Sequence, residues 1–232
     1  MRFFILGCAV ALLATGCSTA HFPELGPRYA PQNLHSVAAM PKTVRRVALL
    51  PIVAQHNDRS LVSGANSLTA VVDTELRKSM MFEVVNVSER QLLEWTGRSA
   101  WNVENPLPQD FFVRVCEETG CDAVLFPSLT AYRPYPPLAI GFNLRLVANL
   151  DLLTLWAIDE VIDAGAAPVG RSARDYGRYQ LLVREGDEGA ILQSPLRFAN
   201  FVSATLFATL PPREKSLEQS PKPTMTVAEG KK

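Results

Sequence analysis

Arg46-Val-Ala-Leu-Leu-Pro-Ile-Val53 is an apolar run bounded by polar residues. A strand with one wet face would alternate polar and apolar side chains. This run does not alternate, so it reads as a strand covered on both faces. Such a strand needs layers above and below it, and the rest of the chain supplies candidates. Leu61, Leu68, Val71, Val72 and Leu76 recur at helical spacing between Leu61 and Met80. Phe82–Val87 is a second short strand. Ser88-Glu-Arg-Gln91 has the form of a capping box, which predicts a helix from Glu89 to Trp95 ended by Gly97. Pro108 suits the first turn of a further helix. Phe112, Val115, Cys116 and Thr119 share its face, and Gly120 stops it.

Asp122–Phe126 resumes as a strand, in which Pro127 predicts an edge or a bulge. Residues 132–137 hold three prolines and form a loop. Ile140–Leu150 and Leu155–Ile162 read as strands joined at Asp151–Thr154, although Leu152 and Leu153 are poor turn residues. Residues 165–168 break the pattern. Arg171, Arg174 and Arg178 then share one helical face within residues 170–183. Ser194-Pro195 opens a last helix with an inner stripe of Phe198, Phe201, Val202, Thr205 and Leu206, and Pro211-Pro212 ends it. The expectation is one α/β domain over residues 43–211, a mixed β-sheet with helices packed on it. A proline-punctuated tether (17–42) precedes it and a polar, disordered tail (212–232) follows.

The amino terminus sets the compartment. Arg2 precedes an apolar run from Phe3 to Ala14, too short for a permanent span, which needs roughly 20 residues, and of the length of a signal-peptide core. It ends in Leu13-Ala14-Thr15-Gly16-Cys17, small residues before a thiol. This predicts a lipoprotein signal over residues 1–16, with Cys17 acylated and first in the mature chain; Cys8 leaves with the signal. Several acyl chains would hold the protein on a membrane stably. Ser18, rather than Asp, follows the anchor, as in lipoproteins sent to the outer membrane of bacteria that have two membranes. Basic and acidic residues balance at 23 each, so the whole chain has no drive toward nucleic acid.

Catalytic signatures are absent: no Gly-x-Ser-x-Gly, phosphate-binding loop, His-Glu-x-x-His or Gly-x-Gly-x-x-Gly occurs. His21 and His35 fall in the expected tether and read as solvated. His56, beside Asn57 and Asp58, is the one histidine left for nucleophilic catalysis, and its plain reading is a surface side chain. Asp159 and Asp163 would share one side of a strand, with Glu160 beside them. They read as a solvated strand end rather than an acid–base pair or cation site. Cys116 and Cys121 flank Gly120 and would lie outside the cytoplasm. A disulfide and two buried thiols are both open to them. Arg171, Arg174 and Arg178, with Tyr176 and Tyr179, form either a solvated amphipathic face or a surface for an anionic partner. No metal site or cofactor is indicated.

The order strand–helix–strand–helix–helix–three strands over residues 44–163 resembles exported lipoproteins with a TolB-amino-terminal, anticodon-binding-like sheet. These include the curli-secretion channel subunit and the lipoprotein activator of penicillin-binding proteins. The resemblance rests on Arg46-Val-Ala-Leu-Leu-Pro51, Phe82-Glu-Val-Val85 with Gln91-Leu-Leu93, Gly120-Cys-Asp-Ala-Val-Leu125, and Leu150-Asp151 with Leu155-Trp156. It implies a non-catalytic, lipid-anchored envelope factor with a protein partner. The alternatives are a subunit of an oligomeric secretion complex, or a hydrolase built around His56. No pair of long amphipathic hairpins is present to build a channel wall.

Overall fold

A computed structural model describes residues 26–56, 58–102, 104–180 and 187–214 of the chain. The expected signal peptide, Cys17 and residues 215–232 lie outside them.

Pro51 divides the apolar run. Arg46–Leu49 is β2 and Val53–Ala54 is β3, both parallel to β5 (Ala123–Arg133). Alternate residues of β2 enter different cores: Val47 and Leu49 face one side, Ala48 and Leu50 the other. The two-sided burial expected of the run is therefore present over Val47–Leu50, whereas residues 51–54 are only half-buried and the single strand expected is two. β4 (Glu83–Asn86) is parallel to β2 at one sheet edge. β6 (Ala139–Ala148) and β7 (Thr154–Asp163) continue beyond β5 as an antiparallel meander. β1 (Leu34–Ser36) closes the other edge, giving the order β1-β7-β6-β5-β2-β4 with β3 beside β5. The sheet is mixed and the unit is a single α/β domain.

α1 (Arg59–Lys78), α4 (Ala167–Gln180) and α5 (Pro195–Phe207) cover one face. The large core lies beneath them, with Leu68, Leu76, Phe142, Trp156, Phe198 and Val202. α2 (Glu89–Thr96) and α3 (Phe111–Thr119) cover only part of the second face, over Ala48, Leu50, Val124, Phe126 and Val147. The capping box forms at Ser88 and Gln91, and Gly97 and Gly120 close α2 and α3 with φ of 80° and 65°. That left-handed region suits glycine. Ser194 caps α5, with Pro195 in its first turn.

Three expectations change. α3 begins at Phe111, and Pro108 stands before it, its carbonyl accepting from the Phe111 N–H at 3.0 Å. Pro127 sits in a central strand rather than at an edge, and the irregularity of β5 falls between Leu129 and Ala131 rather than at the proline. The Leu125 and Leu129 carbonyls accept from the Leu50 and Gln55 N–H groups. Pro127 has the same phase, so its missing donor faces the gap between β2 and β3, where no partner is needed. Finally, the segment read as a tether is packed from Gly26 onward. Leu34–Ser36 pairs with Trp156–Ile158, and Met40 is fully buried between Pro212 and Glu214 through backbone bonds of 2.8 and 3.1 Å. A three-residue edge strand with exposed side chains leaves no apolar pattern to detect.

Candidate functional site

The meander β5–β6–β7 fixes two hairpin turns at opposite poles of the domain. The intervening strands are ten residues long, so the poles are about 30 Å apart. Near one pole the segment that begins at Gly26 is strapped down. The Arg171 guanidinium donates to the Pro27 carbonyl at 3.1 Å, Arg28 pairs with Asp175, and the Tyr29 N–H donates to Ser172 Oγ at 2.9 Å. The Glu160 carboxylate accepts the Tyr29 hydroxyl at 2.8 Å and the Gln32 and Asn33 N–H groups at 3.3 and 3.0 Å. Burial, then the bond to Glu160, pushes the Tyr29 hydroxyl well above its ordinary range.

The β5–β6 turn, residues 134–138, stands at the same pole. Arg133 reaches across it to the Pro137 carbonyl and pairs with Asp163 at 2.8 Å. The Gly165 N–H bonds Asp163 at 2.8 Å, and that backbone bond, with Arg133, holds the Asp163 carboxyl below the usual range. Tyr135 projects from this turn with 76 % of its surface exposed.

The other pole carries the β6–β7 turn, Asn149–Leu153. The Asn149 N–H donates to the Asp122 carbonyl at 2.9 Å, and the Leu153 N–H to Asp151 Oδ1 at 3.1 Å. Leu152 takes a φ of 57°. Leu150, Leu152 and Leu153 are 94, 57 and 49 % exposed. A turn needs none of these side chains. Their hydration is unfavourable, and clustered exposed apolar groups mark contact surfaces.

The expected site residues are dispersed. Cys17 is outside the described residues. Cys116 and Cys121 meet as a disulfide across Gly120, with Cα atoms 4.7 Å apart, beneath α3. Arg171, Arg174 and Arg178 all lie on α4, half-buried. Arg171 is committed to Pro27, Arg178 stands 4.0 Å from Asp175, and Arg174 also has a partner. Asp159, Glu160 and Asp163 each serve separately: Asp159 accepts from Asn143 at 3.3 Å, Glu160 holds the strap and Asp163 the turn. His56 is exposed after β3, and its ring has no hydrogen-bond partner among the described residues. His35 is exposed on β1. No group of three or more metal-ligating residues occurs among the described residues.

Two concavities had no signal in the sequence. A groove of about 690 Å³ lies between α1, α4 and α5, lined by Glu75, Tyr176, Met81 and Phe207. Glu75 is 4 % exposed and bonded to Lys78 at 2.6 Å. Burial, then Glu75, pushes Tyr176 up to about 12. A polar hollow of about 260 Å³ on the uncovered part of the second face contains Arg145, Asn143, Asp159 and Glu104.

No family model matches the chain, and no curated protein matches it. Solved structures with a similar outline exist. The PelC dodecamer from Paraburkholderia phytofirmans has 13% identity and a TM-score of 0.44, over 78% of this chain and 97% of that one. Lipoprotein GNA1162 from Neisseria meningitidis has 18% identity and a TM-score of 0.35, over 51% and 79%. The LpoB C-terminal domain from Salmonella enterica has 13% identity and a TM-score of 0.35, over 51% and 82%. At these values no residue's role transfers.

Proposed function

We propose that this chain is a lipid-anchored accessory factor of the bacterial envelope that works by binding a protein partner, without catalysis. The observation that carries the reading is Leu13-Ala14-Thr15-Gly16-Cys17 at the end of a signal-length apolar run. Cys17 is the acylated residue, and Ser18 directs the anchor to the periplasmic leaflet of an outer membrane. The leucine turn at 150–153 supports the binding role, because it exposes apolar surface that the fold itself does not use. The Cys116–Cys121 disulfide, formed after export, tightens the seam between α3 and β5.

The test is a Cys17→Ala variant in cells labelled with a fatty-acid analogue. The wild type should incorporate label and sediment with membranes, and the variant should lose both. Retention of label and membrane attachment by the variant would overturn the anchor.

A further inference from the structure

We infer that the pole bearing Tyr135 rests on the phospholipid surface, so that the leucine turn points away from the membrane. This rests on Cys17 being the anchor. The first step is covalent reach. Cys17 and Gly26 are nine residue steps apart, which span at most about 32 Å even when fully extended.

The second step is where that length ends. Gly26 lies against Arg171, one helical turn into α4, and α4 begins directly after the Gly165 turn. Gly165 in turn faces Pro137 of the β5–β6 hairpin, where a Cβ added to the glycine would stand about 3.5 Å from the proline side chain. From Gly26 the strap runs along β7 toward Trp156, toward the leucine turn. The chain therefore enters the domain on the Tyr135 side. Bringing the leucine turn to the bilayer instead would stretch the nine residues almost fully along the flank of the domain. That arrangement has few conformations and is entropically disfavoured.

The third step is what this pole presents. Tyr135 is 76 % exposed between Pro134 and Pro136, whose rings fix their own φ and restrict the backbone on either side of it. An amphipathic ring with a polar tip is the side chain favoured at the level of lipid headgroups. Val62, 43 % exposed, lies in the first turn of α1, whose amino terminus meets the end of β5 where Ser60 Oγ donates to the Tyr132 carbonyl at 3.2 Å. Arg59, exposed at the start of α1, adds a cation suited to phosphate.

The experiment uses the acylated full chain in phosphatidylethanolamine–phosphatidylglycerol vesicles. Tyr135→Cys, Val62→Cys and Leu150→Cys carry a thiol-linked fluorophore attached without reductant, and nitroxide lipids quench at headgroup depth. Quenching at position 135 should exceed that at 150 at least twofold, with 62 in between. Each position is on the exposed surface, and a thermal melt checks that each variant folds. Equal quenching at 135 and 150, or stronger quenching at 150, would overturn the orientation. The same samples are weighed intact and floated with the vesicles. A protein that is acylated and floats but shows no difference sinks the orientation alone, whereas one that is neither acylated nor floats sinks the anchor and the orientation together.

Discussion

The two turns of the meander are built on opposite logics. The β5–β6 turn is constrained locally: prolines fix its backbone, Arg133 ties its carbonyl and Asp163 ties Arg133. The β6–β7 turn has no proline, forces Leu152 to a φ of 57° and exposes three leucines. Stability alone would have put glycine, asparagine or aspartate there. The first turn uses its residues to stay folded, while the second carries residues that folding does not need. Under the proposed function, the second turn is where a partner binds.

The largest effect expected follows from that contrast. Changing Leu150, Leu152 and Leu153 together to Ser should cut photo-cross-linking of the turn to its envelope partner by more than tenfold. Burying one leucine contributes about 1.5–3 kcal/mol, and tenfold in affinity needs only about 1.4 kcal/mol. Stability should stay within about 0.5 kcal/mol, since exposed substitutions rarely do more. Sedimentation of the same variant tells whether the partner is a second copy. Undiminished cross-linking would mean the leucines are not a contact surface.

Next comes the strap at the opposite pole. Glu160→Ala removes the acceptor of three donors, from Tyr29, Gln32 and Asn33. Bonds to a charged acceptor contribute roughly 1.5–3 kcal/mol, less where water can replace them. A loss of about 1–3 kcal/mol is expected in thermal or urea unfolding. Hydrogen exchange at Leu34–Ser36 should accelerate while β5 and β6 stay protected. Unchanged exchange in β1 would show that the strap is held by something else.

These regions also show what the sequence could and could not disclose. The Ser88–Gln91 box, the Gly97 and Gly120 stops and the Ser194-Pro195 start are local signals and stand where the sequence places them, whereas the single strand expected over Arg46–Val53 is two, β2 and β3, parted at Pro51. The strap leaves no local signal because its order comes from Glu160 and Ser172, more than a hundred residues away. Pro127 misled because its permissive surroundings depend on the break between β2 and β3. Leu152 and Leu153 stand out in the sequence as poor turn residues, but their exposure is a tertiary fact. Arg171, Arg174 and Arg178 do share a helix, yet the spacing could not show that Arg171 would be engaged by the Pro27 carbonyl.

A smaller effect is expected at Leu152 itself. Leu152→Gly removes a side chain from left-handed backbone, where a non-glycine residue costs about 1 kcal/mol, partly offset by the entropy that glycine adds to the unfolded chain. The melting temperature should rise slightly or stay level while cross-linking falls. A stabilised variant with weakened contact would show that the leucine is retained for binding at the expense of the fold. A clear loss of stability would place Leu152 among the folding residues after all, and the contrast between the turns would narrow.

The smallest effect tests the constrained turn. Asp163 has a folded value below its ordinary 3.8, so its charged form is favoured by folding. The stability it contributes is fully present above pH 3.8 and fades as pH falls through the lower folded value. Asp163→Asn keeps the shape but not the charge that holds Arg133, so the variant should lose that acid-side component of the stability profile. The carboxylate is 44% exposed and screened by water, so the difference will be small and is best read from paired melts between pH 2.5 and about 6. Parallel profiles for the two proteins would mean that the turn is held by its prolines and backbone alone, with the Arg133–Asp163 pair an incidental surface contact.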